Sequence, residues 1–317
     1  MHKRILVLST FLLVSAAKIY AQQDPAQTHF IYNKMMFNPG STGIDDGFCV
    51  TSGYRNQWDK VNGAPNTTFL NLEGNLSRWI PVNVGLNFCN DAIGFTRQNN
   101  LMLNVSYPLQ IPGGHQLGIG LGVGMLNFGQ SPTWVPPQTM LDNLLPAGFS
   151  ATGLDMNFGL YFKSASNFYA ALSATHITAP GITQAQNSAL QGPYTYNVVR
   201  HMYVMGGYKT NPVFGSTSNY IDMQMMVRTD LKKTSVDVNA RYIVPGLGYA
   251  GLTYRTIDAV AFMVGYNPAP RLTIGYSYDL TINKLSSVSR GTHELLVKYC
   301  YFLPIPPVAV TRHVRWL

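Results

Sequence analysis

Charge is scarce in this chain. Charged side chains are 11% of its 317 residues while hydrophobic ones are 46%, and a globular chain is normally about a quarter charged. Long apolar runs are scarce too. Beyond the first twenty residues no segment approaches the ~18 unbroken apolar residues of a membrane helix. Cysteine occurs only at Cys49, Cys89 and Cys300, without metal-ligand spacing and without CxxC, which removes metal-thiolate and dithiol chemistry. Small apolar fillers are the preferred reading of all three, with a disulfide between two of them as the alternative. No GxSxG elbow is present. His293-Glu294 opens like HExxH, but Val297 stands where the second histidine belongs. No catalytic residue, cofactor, metal or nucleic-acid partner is expected.

What is present begins with an export signal. His2, Lys3 and Arg4 precede an apolar run from Ile5 to Ala17, and Lys18-Ile-Tyr-Ala21 follows; this reads as a secretory signal over residues 1–21. The segment carries three bases and no acid, so the formal charge of +8 falls to +5 on its removal. An exported chain with few charges and no membrane helix needs another place for its apolar groups. A transmembrane β-barrel is such a place, because closure satisfies the backbone without water.

The stretch HQLGIGLGVGMLNF, His115 to Phe128, displays the pattern. Leu117, Ile119, Leu121, Val123 and Met125 alternate with Gly118, Gly120, Gly122 and Gly124. The run is too short for a spanning helix, and GxGxxG fails in every register, so a strand with one greasy and one nearly bare face remains. The glycine face should line the lumen, either beneath a plug or at a bend of the barrel wall. Similar alternation recurs, as in Leu154 to Leu160, Ile221 to Arg228, Val236 to Tyr242 and Arg271 to Asp279. Together these segments predict an all-β, transmembrane antiparallel barrel of about 14 strands over residues 47–302.

The connections support this reading. With the amino terminus in the periplasm, the connections on that side are short, around Ser77 to Pro81, Gln110 to Gly114, Pro245 to Gly246 and Asn267 to Pro270. The longest, Phe128 to Thr152 and Ile177 to Val199, fall outside the cell. Short periplasmic turns and longer extracellular loops are the outer-membrane arrangement. That topology gathers luminal charge toward the outer mouth: Arg55, Arg228, Arg255 and Asp279 end their strands there, and Asp155, Asp237, Asp258 and Glu294 begin theirs. A network of neighbours is the preferred reading, with Arg228 meeting Asp237 across a hairpin and Arg55 meeting Glu294 where first and last strands close. Direct contact with a partner is the alternative.

Two flanking segments complete the chain. Residues 22–46 contain Phe30, Tyr32, Met35, Met36 and Phe37 before the turn-rich Asn38-Pro39-Gly40-Ser41-Thr42-Gly43; this segment needs cover, as a luminal plug or along the periplasmic rim. Residues 303–317 carry Pro304, Pro306 and Pro307, then Arg312, His313, Arg315 and Trp316, which suits a periplasmic docking tail or a frayed end.

Gln23-Asp24-Pro25 with Asn38-Pro39, YRNQW (Tyr54 to Trp58), GAPNT (Gly63 to Thr67), YRTIDAVAFMVGY (Tyr254 to Tyr266), IGYSYD (Ile274 to Asp279) and GTHELLVKY (Gly291 to Tyr299) together resemble the PorP/SprF family of the type IX secretion system. NPGSTG departs from the family's commoner NPA followed by an aromatic residue. The resemblance implies a non-enzymatic outer-membrane barrel that is not itself the secretion pore. Its implied partners are outer-membrane lipid and either periplasmic ring or peptidoglycan-binding proteins or a secreted surface adhesin with a type IX carboxy-terminal domain; some members support gliding motility. A passive channel for small or hydrophobic solutes is the rival from another class.

Overall fold

The computed structural model describes residues 24–45, 47–131, 148–184, 194–256 and 258–302. The expected export signal, the 303–317 tail and the middle of the Phe128 to Thr152 loop lie outside them. The strands are β1 (Phe48–Asn56), β2 (Asn66–Gly74), β3 (Asn83–Ile93), β4 (Thr96–Ile111), β5 (His115–Gln130), β6 (Phe149–Lys163), β7 (Phe168–Thr175) and β8 (Gly181–Gln184). After them come β9 (Tyr194–Asn197), β10 (His201–Lys209), β11 (Tyr220–Thr229), β12 (Thr234–Val244), β13 (Gly248–Arg255), β14 (Ala259–Ala269), β15 (Leu272–Thr281) and β16 (Thr292–Tyr301).

Among the described residues, all but β8 and β9 form one closed antiparallel barrel in which each strand pairs with its neighbours in sequence and β1 pairs with β16. That is fourteen strands, as the alternation predicts. The period of two does the sorting: Ile119, Leu121, Val123 and Met125 face outward and exposed, while Gly118, Gly120 and Gly122 between them are buried. Closure leaves no unpaired edge in the lipid, where an unmade backbone hydrogen bond is most costly. Exposed aromatic residues stand near both rims, among them Tyr54 and Tyr254 outside and Phe48, Tyr107, Tyr208 and Tyr266 on the periplasmic side, as in the girdles of such barrels.

β4, β5 and β6, at 16, 16 and 15 residues, are longer than the 9–11 residues that a tilted strand needs to cross a bilayer. The excess rises on the outer side. There β8 and β9 pair as a small hairpin that the alternation does not reveal, and Ile182 and Val198 pack on Leu126, Phe128 and Phe149. Tyr196 stacks on Phe128 with ring centroids 3.7 Å apart. Since Leu126 and Phe128 share the luminal face of the glycines, the hairpin folds inward over that wall.

The cysteines correct the filler reading. The β1–β16 register places Cys49 opposite Cys300, and a disulfide joins them across 251 residues of sequence. A barrel makes partners of its first and last strands, a proximity that local spacing cannot disclose. Cys89 remains a free, buried thiol.

The core of the molecule lies inside the barrel. Residues 24–45 occupy the lumen as a 3₁₀ turn (Phe30–Tyr32), one turn of α-helix (Lys34–Phe37) and a second 3₁₀ turn (Pro39–Ser41). Pro39 sits at the start of the last of these and the Asn38 side chain accepts from Gly40 N at 2.8 Å, capping it. Phe30 and Phe37 are buried against Tyr161, Tyr203, Met205, Met226 and Met263 of the wall. Of the two placements open for this segment, the lumen is the one observed.

Candidate functional site

The plug is built to meet the wall at close range. Gly40 backs onto Gly118 and Gly159: a Cβ on Gly40 would lie 2.8 Å from the Gly118 carbonyl oxygen and 2.7 Å from that of Gly159. A Cβ on Gly120 would strike Gly40 N and the Pro39 carbonyl. The bare face of β5 therefore admits another stretch of backbone, as glycine in a strand allows. Only half of the glycine run does this. Gly122 and Gly124 lie instead beneath Asn104, Asn157 and Met102 of the adjoining strands, while Gly159 on β6 supplies the other part of the plug seat.

Side chains and backbone groups hydrogen-bond across the contact between plug and barrel. Asn38 Nδ2 donates to the carbonyls of Leu160 (3.0 Å) and Leu172 (3.2 Å), Ser106 Oγ to Gly40 O (3.1 Å), Ser173 Oγ to Phe37 O (2.7 Å) and Asn83 Nδ2 to Gly43 O (3.0 Å). Asn33, Asn71 and Asn87 form an amide ladder from plug to wall. Buried peptide groups in an irregular segment need such partners.

Toward the outer mouth the plug is held by charge. Arg55 Nη1 lies 2.8 Å from Glu294 Oε2 and its Nη2 2.8 Å from Asp279 Oδ2. Arg255 reaches Asp237 (3.1 Å), Asp279 (3.3 Å) and Asp258 (3.5 Å). Into this network the plug inserts Thr28 and His29. Thr28 Oγ1 donates to Asp279 at 2.8 Å, and the backbone N–H groups of Thr28 and His29 donate to the two oxygens of Glu294 at 2.8 and 2.7 Å. Six of the seven candidate charges, Arg55, Arg228, Asp237, Arg255, Asp279 and Glu294, are buried; Asp258 is partly exposed and accepts from Asn283 Nδ2 at 3.0 Å.

Arg228 departs from its expected partner. The β11–β12 register sets it opposite Ser235, not Asp237. It donates to the plug carbonyls of Pro25 (3.2 Å) and Asp24 (3.5 Å), while Asp237 goes to Arg255. A hairpin reading that pairs charges by sequence proximity misses a third segment lying between the walls.

Asp24 forms a second anchor that sequence reasoning does not find. Its carboxylate meets His176 Nε2 at 2.9 Å and the Tyr203 hydroxyl, and His176 Nδ1 faces Asp155. Burial alone would raise the Asp24 carboxyl, but His201 and His176 nearby and the hydrogen bonds from His176 and Tyr203 hold it well below the usual carboxylate range. His176, in the loop after β7, shows the mirror effect. Burial would lower it, yet Asp24 and the hydrogen bonds to Asp155 and Asp24 raise it from 6.5 to about 10, so both ring nitrogens donate at neutral pH. A histidine between two distant aspartates carries no local spacing signal.

The plug separates two mouths. The outer cavity, of about 410 Å³, is bounded by Asp24, Trp58, Arg228, Arg255 and Asp258. The periplasmic cavity, of about 560 Å³, is bounded by Lys34, Tyr161, Lys209, Arg241 and Tyr249. Beside Phe37 and Asn87 a gap of about 30 Å³ remains, room for a water molecule or two. Among the described residues no group of three side chains is arranged to hold a metal ion. The arrangement offers two recessed surfaces on a rigid, filled barrel.

A solved outer-membrane channel shares the architecture. CymD, a monoaromatic hydrocarbon channel, is 11% identical with a TM-score of 0.50, over 86% of this chain and 93% of that one. An outer membrane protein of Acinetobacter baumannii is 11% identical with a TM-score of 0.46, over 82% of this chain and all of that one. At such identity the likeness to CymD is one of fold alone. No curated protein is significantly similar to the chain. The family described as type IX secretion system membrane protein PorP/SprF matches residues 19–299, nearly the whole barrel together with its plug, and the chain belongs to that family.

Proposed function

We propose that this barrel serves type IX secretion as a docking and anchoring component of the outer membrane, without catalysis and without passing cargo through its own lumen. The observation that carries this reading is the filled lumen. Plug backbone approaches wall backbone closely at Gly118 and Gly120, and buried charged side chains of the wall hydrogen-bond the plug backbone at its outer end. A lumen filled in this way is not open to free diffusion, and the plug that fills it is held by buried charges that are costly to place unless partnered. The two mouths, one outside and one periplasmic, then become the surfaces that partners use.

The partners are periplasmic ring or peptidoglycan-binding proteins, or a secreted adhesin held by its carboxy-terminal domain. Purification from the native outer membrane in mild detergent, followed by mass spectrometry of what remains bound, tests the reading. Recovery of a secreted surface protein or of periplasmic machine parts is expected. Recovery of neither, together with a solute permeability that falls on deletion of the gene, moves the channel reading to the front.

A further inference from the structure

The periplasmic mouth has a composition unlike the rest of this charge-poor chain. Lys34, Lys163, Lys209, Arg241, Arg271 and Lys298 line one cavity of about 560 Å³, and among the described residues the acids of the lining are Asp45 and Asp222. Asp222 is engaged by Arg241 Nη2 at 2.6 Å. Asp45 stands 3.6 Å from Lys163, both well exposed, where an ion pair contributes little. Lys298 stands 4.0 Å from Glu73, so among the described residues the cavity and its immediate surroundings carry a surplus of three positive charges.

Its floor is aromatic. Arg241 lies over the adjoining rings of Tyr32 and Tyr249, 5.0 Å from each centroid, and Lys34 Nζ sits 4.1 Å above Tyr169. Stacking of this kind holds a guanidinium flat and fixes the direction of its donors. Arg241 is 95% buried, yet among the described residues its Nε and Nη1 make no hydrogen bond of good geometry, the Tyr32 hydroxyl being the oxygen beside them. The Tyr249 hydroxyl is likewise buried, with the Tyr32 hydroxyl beside it and no hydrogen bond of good geometry. Unused donors on a buried side chain that lines a cavity are uncommon and call for an acceptor; a carboxylate matches the geometry of such a fork.

We propose that the periplasmic cavity binds an acidic peptide segment of a periplasmic partner, with one carboxylate on Arg241, further acids on the lysines of the rim and apolar side chains against the tyrosines. This rests on the docking reading above and names the chemistry of the partner at one of its two surfaces. The volume falls within the range of sites that enclose ligands. Charge sign argues against occupation by the chain itself, because residues 303–317 carry Arg312, His313 and Arg315 and no acid.

The test uses the full chain in mild non-ionic detergent and calorimetric titration with the peptide acetyl-Asp-Glu-Phe-Asp-Glu-amide. Its neutral counterpart, with Asn and Gln for the acids, and inorganic phosphate are titrated alongside. The acidic peptide is expected to bind at least about tenfold more tightly than the neutral one, and to weaken as salt rises. Arg241→Gln should abolish most of that preference. Because Arg241 is buried and that variant can fail to fold, Lys163→Glu with Lys209→Glu, both on the exposed rim, provides the second test. The double variant should lose about tenfold in affinity while keeping the same thermal midpoint.

Equal affinity for the neutral peptide, or a double variant that binds unchanged, overturns the proposal. Phosphate that binds as tightly as the peptide overturns it in favour of a small-anion site. A double variant that still co-purifies with a periplasmic partner overturns this inference and leaves the docking reading standing; a peptide that binds as expected to a protein recovered with no partner does the reverse.

Discussion

Arg55 and Glu294 stand opposite each other in the register of the seam between β1 and β16, Nη1 2.8 Å from Oε2, and the same carboxylate oxygen accepts the backbone N–H of Thr28 at 2.8 Å. One contact therefore serves two purposes, joining the ends of the barrel and fastening the plug to the joint. Replacement of Arg55 by Met leaves Asp279 and Glu294 buried without their main counter-charge. A loss of about 3–5 kcal/mol is expected from breaking one side of a buried pair. A fall in the temperature at which the folded band converts on semi-native electrophoresis checks it.

The glycine wall makes a sharper prediction, because two neighbouring glycines should behave differently. A Cβ at Gly120 collides with plug backbone, at Gly40 N and Pro39, whereas one at Gly122 meets first the side chains of Asn104 and Asn157. Gly120→Val should expel the plug and give steady conductance in planar bilayers, where the native protein gives none. Gly122→Val should stay closed and cost about 1–3 kcal/mol of overpacking. Equal conductance from the two variants would remove the plug from its assigned seat.

Disulfide content is directly countable. In denaturant without reductant, one thiol per chain should react, that of Cys89, and reduction should raise the count to three. The native, folded protein should show no reactive thiol, because Cys89 is buried. Without reductant the denatured chain is looped by a bond between residues 251 apart and should migrate faster than its Cys49→Ser variant.

The outer anchor gives a pH dependence with a definite sign. His176 titrates near 10 in the folded protein against 6.5 for a free imidazole, so it binds its proton more tightly when folded, and the contribution is complete below pH 6.5 and lost as pH rises toward 10. Asp24, Asp155, His201, Tyr203 and Arg228 are the charged or titratable groups around this clamp. The thermal midpoints of the native protein and of His176→Phe should differ most at pH 6.5 and converge near pH 10. A difference that is constant over this window would show that the imidazole acts through shape alone.

The legible and illegible parts of this protein divide along the range of the physics involved. Strand alternation is a local signal, and it placed the barrel strands, the lipid face of β5 and the burial of Arg55 and Glu294 at the closing seam. The Cys49–Cys300 bond, the His176–Asp24 clamp and the turn of Arg228 toward Pro25 each depend on segments brought together by closure across many strands. None leaves a trace in neighbouring residues. Arg241 and Lys34 were missed for a related reason: their significance lies in the stacked tyrosines around them, which come from the plug and from β6, β7 and β13. The glycine run stands between the two cases. Its bare face could be read from Gly118 to Gly124, but that only the first two positions receive the plug follows from where Asn38-Pro39 ends its turn.

The plug passes directly into β1, and the carboxylates that accept from Thr28 and His29 sit on β15 and β16. The first residues of the barrel unit to leave the ribosome thus wait for the last ones to arrive. Filling and closing are one event: before β16 meets β1, Thr28 has no carboxylate to donate to, Arg55 has no neighbour, and Cys49 has no partner. A chain stalled one strand short is an open sheet with a loose amino terminus and a free thiol at its edge, a state that a thiol reagent distinguishes from the finished protein.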